Sequence, residues 1–311
     1  MADHRTVART DVGERIRKGL AATGRGLLAR LAAWYRGLGV VGKVSLVICG
    51  IYCIFAVFGP TIVPVSPTQL TGGTPFQGPS TQYWLGLDEL GRSVFSQVIV
   101  GARVAIIAAL LAVAVSAVTG TALGVIAGYS GGIVDHVTGW LFDLLFSIPC
   151  YLLGILVVVV AGPGLIQASL AIGVAFIPQF GRVARGAAID VRGRSYVEAA
   201  VLAGRGQWWV IRKHILRNIM TPIAVMIGLT LANAEGAYAV LSYLGFGVAP
   251  PMPDYGNMIA AGQGYMTTDP TLVLFPCAAL VVLIVGFALL GDWIAEQLDP
   301  YRRTLSIGWG R

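Results

Sequence analysis

"YVEAAVLAGRGQWWVIRKHILRN" occupies residues 196–218 and is basic and amphipathic, yet it lies between stretches apolar enough for a lipid bilayer. Gly204 and Gly206 interrupt it, and glycine readily takes the backbone angles that end a helix. The pattern therefore predicts two short helices that form a hairpin within residues 190–217, in the middle of an apolar chain.

The two predicted helices carry different faces. The first has a mostly small face with Glu198 beside it, formed by Tyr196, Ala199, Ala200 and Ala203. The second has an apolar stripe of Trp208, Ile211 and Ile215, with Arg212 and Lys213 off it. Small residues allow another surface to approach closely, and an apolar stripe can fill a groove. The pattern alone fits a docking element for a partner and an amphipathic linker lying on the membrane equally well.

The composition of the whole chain indicates a membrane protein. Of the 311 residues, 56% are hydrophobic and only 12% are charged, with a mean hydropathy of +0.76. A soluble domain needs more polar surface than this to cover its core, whereas a bilayer removes that need. The length suits one domain of several membrane helices and leaves little for a soluble catalytic domain.

Six continuous apolar runs predict an all-α membrane domain with six transmembrane helices. We expect spans at roughly 44–64, 101–128, 137–161, 165–184, 218–245 and 271–291. A basic tail at 1–43, a permease-sized domain at 44–303 and a short tail at 304–311 complete the predicted organisation. Within the first tail, residues 14–38 mix Arg with Leu, Ala and Trp, which fits either a helix on the membrane surface or a solvated tail.

The basic residues predict the orientation in the membrane. Of the 22 Lys and Arg residues, all except Arg92 and Arg103 fall in the first 43 residues, in residues 182–217 or after the last span. The positive-inside rule therefore places both termini and the hairpin in the cytoplasm. Because the charge is spread over separate segments and reports topology, we do not expect nucleic acid as a partner.

No site for chemistry is apparent. "GLGVVGKV" at residues 37–44 matches most of a phosphate-binding P-loop, but Val44 stands where the Ser or Thr for Mg²⁺ belongs, and a membrane span follows. We therefore expect this chain to hold no catalytic residue, metal or cofactor. Any ATP chemistry would then belong to a partner.

Three features of the spans suggest roles in packing or transport. Gly120, Gly124 and Gly128 form a ridge that suits close helix packing. Glu235 lies in mid-span with Asn233 nearby, and an ionisable residue at that depth should face protein or water. Glu235 fits a residue of the translocation pathway or a hydrogen-bonded structural carboxyl, while Asp143 is expected to order a helix end.

The order of residues in the hairpin resembles the EAA motif of ABC importer permeases. Glu198-Ala199-Ala200 is followed at the family's spacing by Gly204 and then by "HIL" at residues 214–216. In that family the hairpin couples the membrane subunit to a cytoplasmic ATPase, which implies coupling roles for Tyr196, Glu198, Ala199, Ala200, Gly204, Trp208 and Ile211. Arg217 stands where the family usually has Pro, so the break before the fifth span should be softer.

Further resemblance extends from about residue 44 to residue 303. "WLGLDELGRSVFSQVIVGARV" at 84–104, "LSYLGFGVAPPMPDYGNMI" at 241–259 and "LLGDWIAEQLDP" at 289–300 are similar to permeases of the dipeptide and oligopeptide class, C-type subunit. Leu87 stands where that class commonly has Thr. The Pro- and Gly-rich segments 65–100 and 246–270 are long enough to form a docking surface for a binding protein.

The resemblance implies a type I ABC importer permease of the bacterial inner membrane that moves di- or oligopeptides into the cytoplasm by alternating access. Its partners would be a second, homologous permease subunit, two cytoplasmic ATPase subunits that bind ATP and Mg²⁺, an external substrate-binding protein and membrane lipid. Nickel or another small solute is an alternative cargo of the same class. A stand-alone transporter with Glu235 as its proton site is a further alternative, but such proteins usually contain repeats that this chain lacks.

Overall fold

The computed structural model describes residues 38–298. The predicted tails at 1–43 and 304–311, with the amphipathic stretch at 14–38, lie outside this part of the chain apart from positions 38–43. Described residues from Val44 onward belong to one compact unit.

Regular structure in residues 38–298 is helical, apart from one antiparallel bridge between Leu87 and Ser93. The helices are α1 (Val40–Ile62), α2 (Val94–Ser130), α3 (Gly132–Ser147), α4 (Cys150–Ala161), α5 (Leu165–Arg192), α6 (Ser195–Leu202), α7 (Gln207–Val210), α8 (Leu216–Tyr243), α9 (Tyr255–Gln263) and α10 (Thr271–Leu298). A π-helical turn, Ile211–Ile215, joins α7 to α8.

Among the described residues, five helical stretches are long and apolar enough to cross a membrane by themselves: α1, α2, α5, α10 and the continuous stretch from α7 through α8. The pair α3 and α4 makes a sixth span if it is counted as one. The predicted count of six is therefore approximately right, and five of the predicted runs fall on single helices.

The third predicted span is wrong in one respect, because residues 137–161 do not form one continuous helix. α3 and α4 meet at an angle of 90°. Proline disfavours the helical conformation of the residue before it. Ile148 accordingly takes the extended angles φ −90° and ψ 124° in front of Pro149, and α3 ends there.

The centre of the fold is the long contact between α2 and α5. A Cβ added to Gly120 would lie 2.5 Å from the carbonyl oxygen of Ile177, and one added to Gly128 would lie 2.5 Å from that of Arg185. Between them, Gly124 lies against the backbone of Gly181. The predicted glycine ridge is thus confirmed as a helix-packing surface.

A second close crossing joins α8 to α10. Gly228 and Gly291 face each other so closely that a Cβ on either would overlap the other's backbone. α8 therefore contacts three long helices, because it also packs against α2 and α5. This central position gives the helix that follows the hairpin access to most of the bundle.

The ends of the helices opposite the hairpin carry folded loops, which we call the loop end (residues 63–93 and 244–270). Asp254 caps α9 by accepting a hydrogen bond from the Gly256 N–H at 2.9 Å. Tyr255 is buried and donates from its hydroxyl to the carbonyl of Val98 on α2 at 3.0 Å. α9 is therefore anchored to the start of α2.

Candidate functional site

The hairpin has the turn that its two glycines suggested. Gly204 adopts φ +76°, the left-handed region that glycine occupies without strain. Its N–H donates to the Val201 carbonyl at 2.9 Å, and the N–H of Arg205 donates to the Ala200 carbonyl at 3.2 Å. This pair of bonds is a Schellman motif, which closes the carboxyl end of α6. Gly206 then precedes α7 with ordinary extended angles.

The tip of the hairpin presents apolar side chains to its surroundings. Leu202 is 88% exposed and Trp208 is 69% exposed. Other predicted coupling residues also lie at the surface, since Tyr196, Glu198, Ala199 and Gly204 are exposed and Ala200 is partly so. A Cβ added to Gly204 would meet no atom within 4 Å, so the space around the turn is open.

Ile211 departs from its predicted place. It is 9% exposed, and Val210 and Ile215 beside it are fully buried. The expectation that Ile211 and Ile215 continue the stripe of Trp208 toward a partner is therefore wrong. The physical reason is that the second limb of the hairpin runs directly into α8, so its apolar face already packs inside this chain.

The limbs are held together by aromatic contacts with His214. The centroid of its ring lies 5.4 Å from that of Tyr196 and 5.2 Å from that of Trp209. The Arg205 guanidinium lies 4.9 Å from the centre of the Trp209 ring, within the range of a cation–π contact. A cleft of about 950 Å³ opens beside the hairpin, with Glu198, Leu202 and Gln207 on one side and Tyr129 and Arg192 on the other.

The helix runs on from the hairpin without a break. α7, the π turn and α8 form one stretch of 37 residues from Gln207 to Tyr243. Arg217, at the position of the family's usual Pro, is exposed within it. This agrees with the expected softer break, and the π turn is the irregular feature there. π turns inside α-helices occur frequently at functional sites.

The two candidate pathway residues on α8 point in different directions. Glu235 is 1% exposed, and its Oε2 has no hydrogen-bond partner among the described residues. Asn233 is exposed on another side of the helix. The structure therefore does not bring them together, and a role for either in the pathway stays a prediction.

Two ion pairs join α3 to α5 at the end of the bundle that carries the hairpin. Arg185 makes a bidentate contact with Asp135, through Nε to Oδ1 and through Nη2 to Oδ2 at 2.7 Å. Arg182 Nη2 donates to Asp143 Oδ1 at 2.8 Å. Asp143 thus binds a side chain of another helix four residues before the end of α3, and its role in ordering that helix end stays a prediction.

At the loop end, Asp88 organises the segment that enters α2. It is 5% exposed and accepts from the backbone N–H groups of Leu90 and Arg92 at 2.9 and 2.8 Å. Its Oδ2 also accepts from Arg92 Nε and Gln97 Nε2, both at 2.7 Å. Both carboxylate oxygens are therefore satisfied, which indicates a structural role.

These features match a known family. The family model described as "Binding-protein-dependent transport system inner membrane component" matches residues 120–304, which include the hairpin and α8. The chain belongs to this family. It is therefore a multi-pass inner membrane permease chain of a transport system that depends on a binding protein, and such a subunit is not itself catalytic.

Named relatives resemble this permease chain over most of its length. The probable D,D-dipeptide transport system permease protein DdpC of Escherichia coli (strain K12) is 36% identical over 82% of this chain and 86% of the relative. The dipeptide transport system permease protein DppC of Haemophilus influenzae is 34% identical over 83% and 89%. The glutathione transport system permease protein GsiD of Pectobacterium atrosepticum is 35% identical over 72% and 74%.

A solved structure supports the fold. A chain of the MetNI methionine ABC transporter, in an inward-facing conformation, superposes with a TM-score of 0.54 at 19% identity. The match covers 65% of this permease chain and 96% of the other chain. The architecture is therefore that of a type I ABC importer permease, as the hairpin motif implied.

Several polar contacts of the permease chain were not found from the sequence. Asp254 could have been recognised as the cap of α9, since Asp is a preferred N-cap residue. Asp135 and Arg185 are separated by 50 residues, and Asp143 and Arg182 by 39. No local pattern pairs residues so far apart, so these two contacts became visible only in the fold.

Proposed function

We propose that this chain is a permease subunit of an ATP-driven importer of di- or oligopeptides, with the hairpin as the element that couples it to ATPase subunits. The observation that carries the coupling role is the apolar, open tip around Gly204, at which Leu202 is 88% exposed. An apolar side chain exposed on a rigid turn suits insertion into a groove of a partner protein. The names of the relatives support the peptide cargo.

Coupling would follow from the continuity of the hairpin with α8. ATP and Mg²⁺ would bind to two partner ATPase subunits, and closure of those subunits would displace the hairpin. Because α7, the π turn and α8 are one stretch of 37 residues, a displacement at the tip would reach the buried Glu235 and the crossing at Gly228. The spans would then alternate access, and this chain would carry out no covalent step.

The proposed orientation places both termini and the hairpin in the cytoplasm. It rests on the basic residues, which concentrate at the hairpin side, as the positive-inside rule requires. The loop end would then face a binding protein outside the cell. A second, homologous permease subunit would complete the pathway.

The tip can be tested by purifying the tagged chain from its own host in mild detergent and identifying by mass spectrometry what is recovered with it. We expect P-loop ATPases and a second six-span permease subunit. Leu202→Asp should lose the ATPases and keep the second permease subunit. Leu70→Asp is the matched control, because Leu70 is 65% exposed in the segment at the opposite end.

Recovery of the chain alone, under conditions that preserve a known importer complex, would contradict the proposal and direct attention to a stand-alone transporter. If the Leu202→Asp variant still recovers the ATPases in full, the hairpin tip is not the docking element.

A further inference from the structure

A cleft between α3 and α5 has the chemistry of a site for a zwitterion. Its volume is about 460 Å³, and Trp140, Asp143, Arg182 and Arg185 contribute to its walls. Gly139 lies on the same wall, and a Cβ added there would meet no atom within 4 Å. The cleft therefore presents the exposed Trp140 ring, the exposed Asp143 carboxylate and the exposed Arg182 guanidinium next to open space.

The two charges lie near the hairpin end of the bundle and are exposed. Arg182 lies ten residues before the end of α5 at Arg192, about 15 Å along the helix. The side chains of Arg182 and Asp143 are 45% and 75% exposed. Exposed large apolar side chains, such as Trp140 and Leu144, surround them on α3. Arg182 therefore falls at the hairpin end of the predicted span 165–184, where water rather than lipid must solvate exposed charges.

The two ion pairs of the cleft differ in contact geometry and in exposure to solvent. The Asp135–Arg185 pair is bidentate, and the side chain of Asp135 is only 18% exposed. The Asp143–Arg182 pair has a single contact at 2.8 Å between two exposed groups. Exposed ion pairs contribute only about 0–1 kcal/mol to stability, so a ligand that brings its own charges can replace the Asp143–Arg182 pair at little cost in free energy.

We propose that Asp143 and Arg182 form a peptide subsite of the translocation pathway, in which the Arg182 guanidinium binds the carboxylate terminus of a passing peptide and the Asp143 carboxylate binds its ammonium terminus. This inference rests on the proposed peptide importer. Arginine presents a planar fork of donors that matches a carboxylate. The ring of Phe146 lies 4.5 Å from the guanidinium carbon and holds that plane in place.

The same two side chains then pair with each other when the cleft is empty and with the peptide when it is occupied. Without a peptide, Asp143 and Arg182 neutralise each other across the cleft. A peptide with free termini separates them and supplies one new partner to each, so no charge is left unpaired. Trp140, which is 64% exposed, is available for contact with an apolar side chain of the peptide. A peptide that lacks one free terminus leaves either Asp143 or Arg182 without a partner and should pass less well.

The test compares two probes in proteoliposomes that contain the complete importer and its unaltered binding protein. The probes are radiolabelled L-alanyl-L-phenylalanine and its carboxyl-terminal amide, each at saturating concentration. For the wild type, the maximal uptake rate of the free acid should exceed that of the amide. Arg182→Gln should lower uptake of the free acid at least about tenfold, the loss expected for a charge-assisted hydrogen bond, and bring the ratio of the two rates toward one. Because the binding protein is unchanged, a change of this ratio reports on the permease.

Arg182→Lys and Asp143→Asn complete the test. Arg182→Lys keeps the positive charge and should restore most of the discrimination between acid and amide. Asp143→Asn should lower uptake of both probes alike, because both retain a free amino terminus. Assembly with the other subunits should not change in any of these variants.

Three results separate the explanations. An unchanged ratio of acid to amide in Arg182→Gln overturns the subsite, and so does loss of assembly, which would show a structural pair. If the wild-type complex takes up neither probe in an ATP-dependent manner, the proposed peptide import itself fails.

Discussion

Gly124 on α2 lies directly against Gly181 on α5, and the ring of Phe142 from α3 packs on Gly181 as well. Three helices therefore meet at one point where there is no room for a side chain. In a membrane, where the hydrophobic effect does not drive helices together, such close approach of backbones is a main source of helix association.

Gly124→Val should disrupt this junction. A Cβ at Gly124 would overlap the carbonyl of Gly181, and overpacking in a dense core typically costs about 1–3 kcal/mol or more. We expect a lower thermal unfolding temperature in detergent. Gly139→Ala is the control, because that position has open space and the exchange should be neutral or stabilising by up to about 1 kcal/mol. Equal melting of the two variants would argue against the junction.

At the turn of the hairpin, Gly204→Ala should weaken coupling through backbone strain alone. The residue has φ +76°, and a non-glycine residue there costs about 1–3 kcal/mol, although space for the methyl group is open. We expect less peptide-stimulated ATPase activity in the assembled complex. Gly204→Asn should be milder, since Asn tolerates this region better than Ala.

Gly206→Ala is the control for that experiment. Gly206 has φ −62°, and a Cβ added there would meet nothing within 4 Å. Coupling should therefore be normal. A defect as large as that of Gly204→Ala would mean that the tip rejects any added bulk, and that backbone conformation is not the reason.

Asp88→Ala should loosen the segment between α1 and α2. The exchange removes the acceptor of four hydrogen bonds and leaves donors of Arg92 and Gln97 unpaired, at about 1–3 kcal/mol for a buried group without a partner. Limited proteolysis should cut residues 63–93 faster. In contrast, Glu89→Gln should leave the pattern unchanged, because Glu89 contacts Arg92 only at 3.4 Å.

Asp254 should make stability depend on pH. Burial raises the pKa of this carboxyl above its ordinary value of 3.8. Because the pKa is raised in the folded state, the protonated Asp254 carboxyl makes its full contribution to stability below pH 3.8. That contribution is lost as the pH rises through the raised pKa. Asp254→Asn keeps an oxygen for the Gly256 N–H and carries no charge to bury. Melting curves over this range should fall with pH for the wild type and be flatter for the variant, and parallel curves would refute the assignment.

Much of the fold follows from the sequence because membrane spans depend on continuous apolar length, which is a local property. The break after α3 was also accessible, since Pro149 restricts Ile148, yet an apolar run across both helices favoured one straight span. To predict the break, the conformational restriction of the residue before proline has to be given more weight than the hydropathy of the run.

The site was predictable in part. The exposed coupling residues follow from the motif at 196–218, whereas the burial of Ile211 depends on the direction in which α7 continues into α8. The cleft between α3 and α5 depends on contacts between Asp143 and Arg182, 39 residues apart. The burial of Ile211 and the cleft both depend on how the helices pack in three dimensions, and short-range periodicity carries no information about that packing.

The most direct test of the central claim is uptake of radiolabelled L-alanyl-L-phenylalanine into proteoliposomes that hold the complete complex, with the binding protein outside and ATP inside. We predict uptake that requires internal ATP and that Leu202→Asp abolishes while the second permease subunit stays bound. Uptake that proceeds without ATP and follows an imposed proton gradient would contradict it.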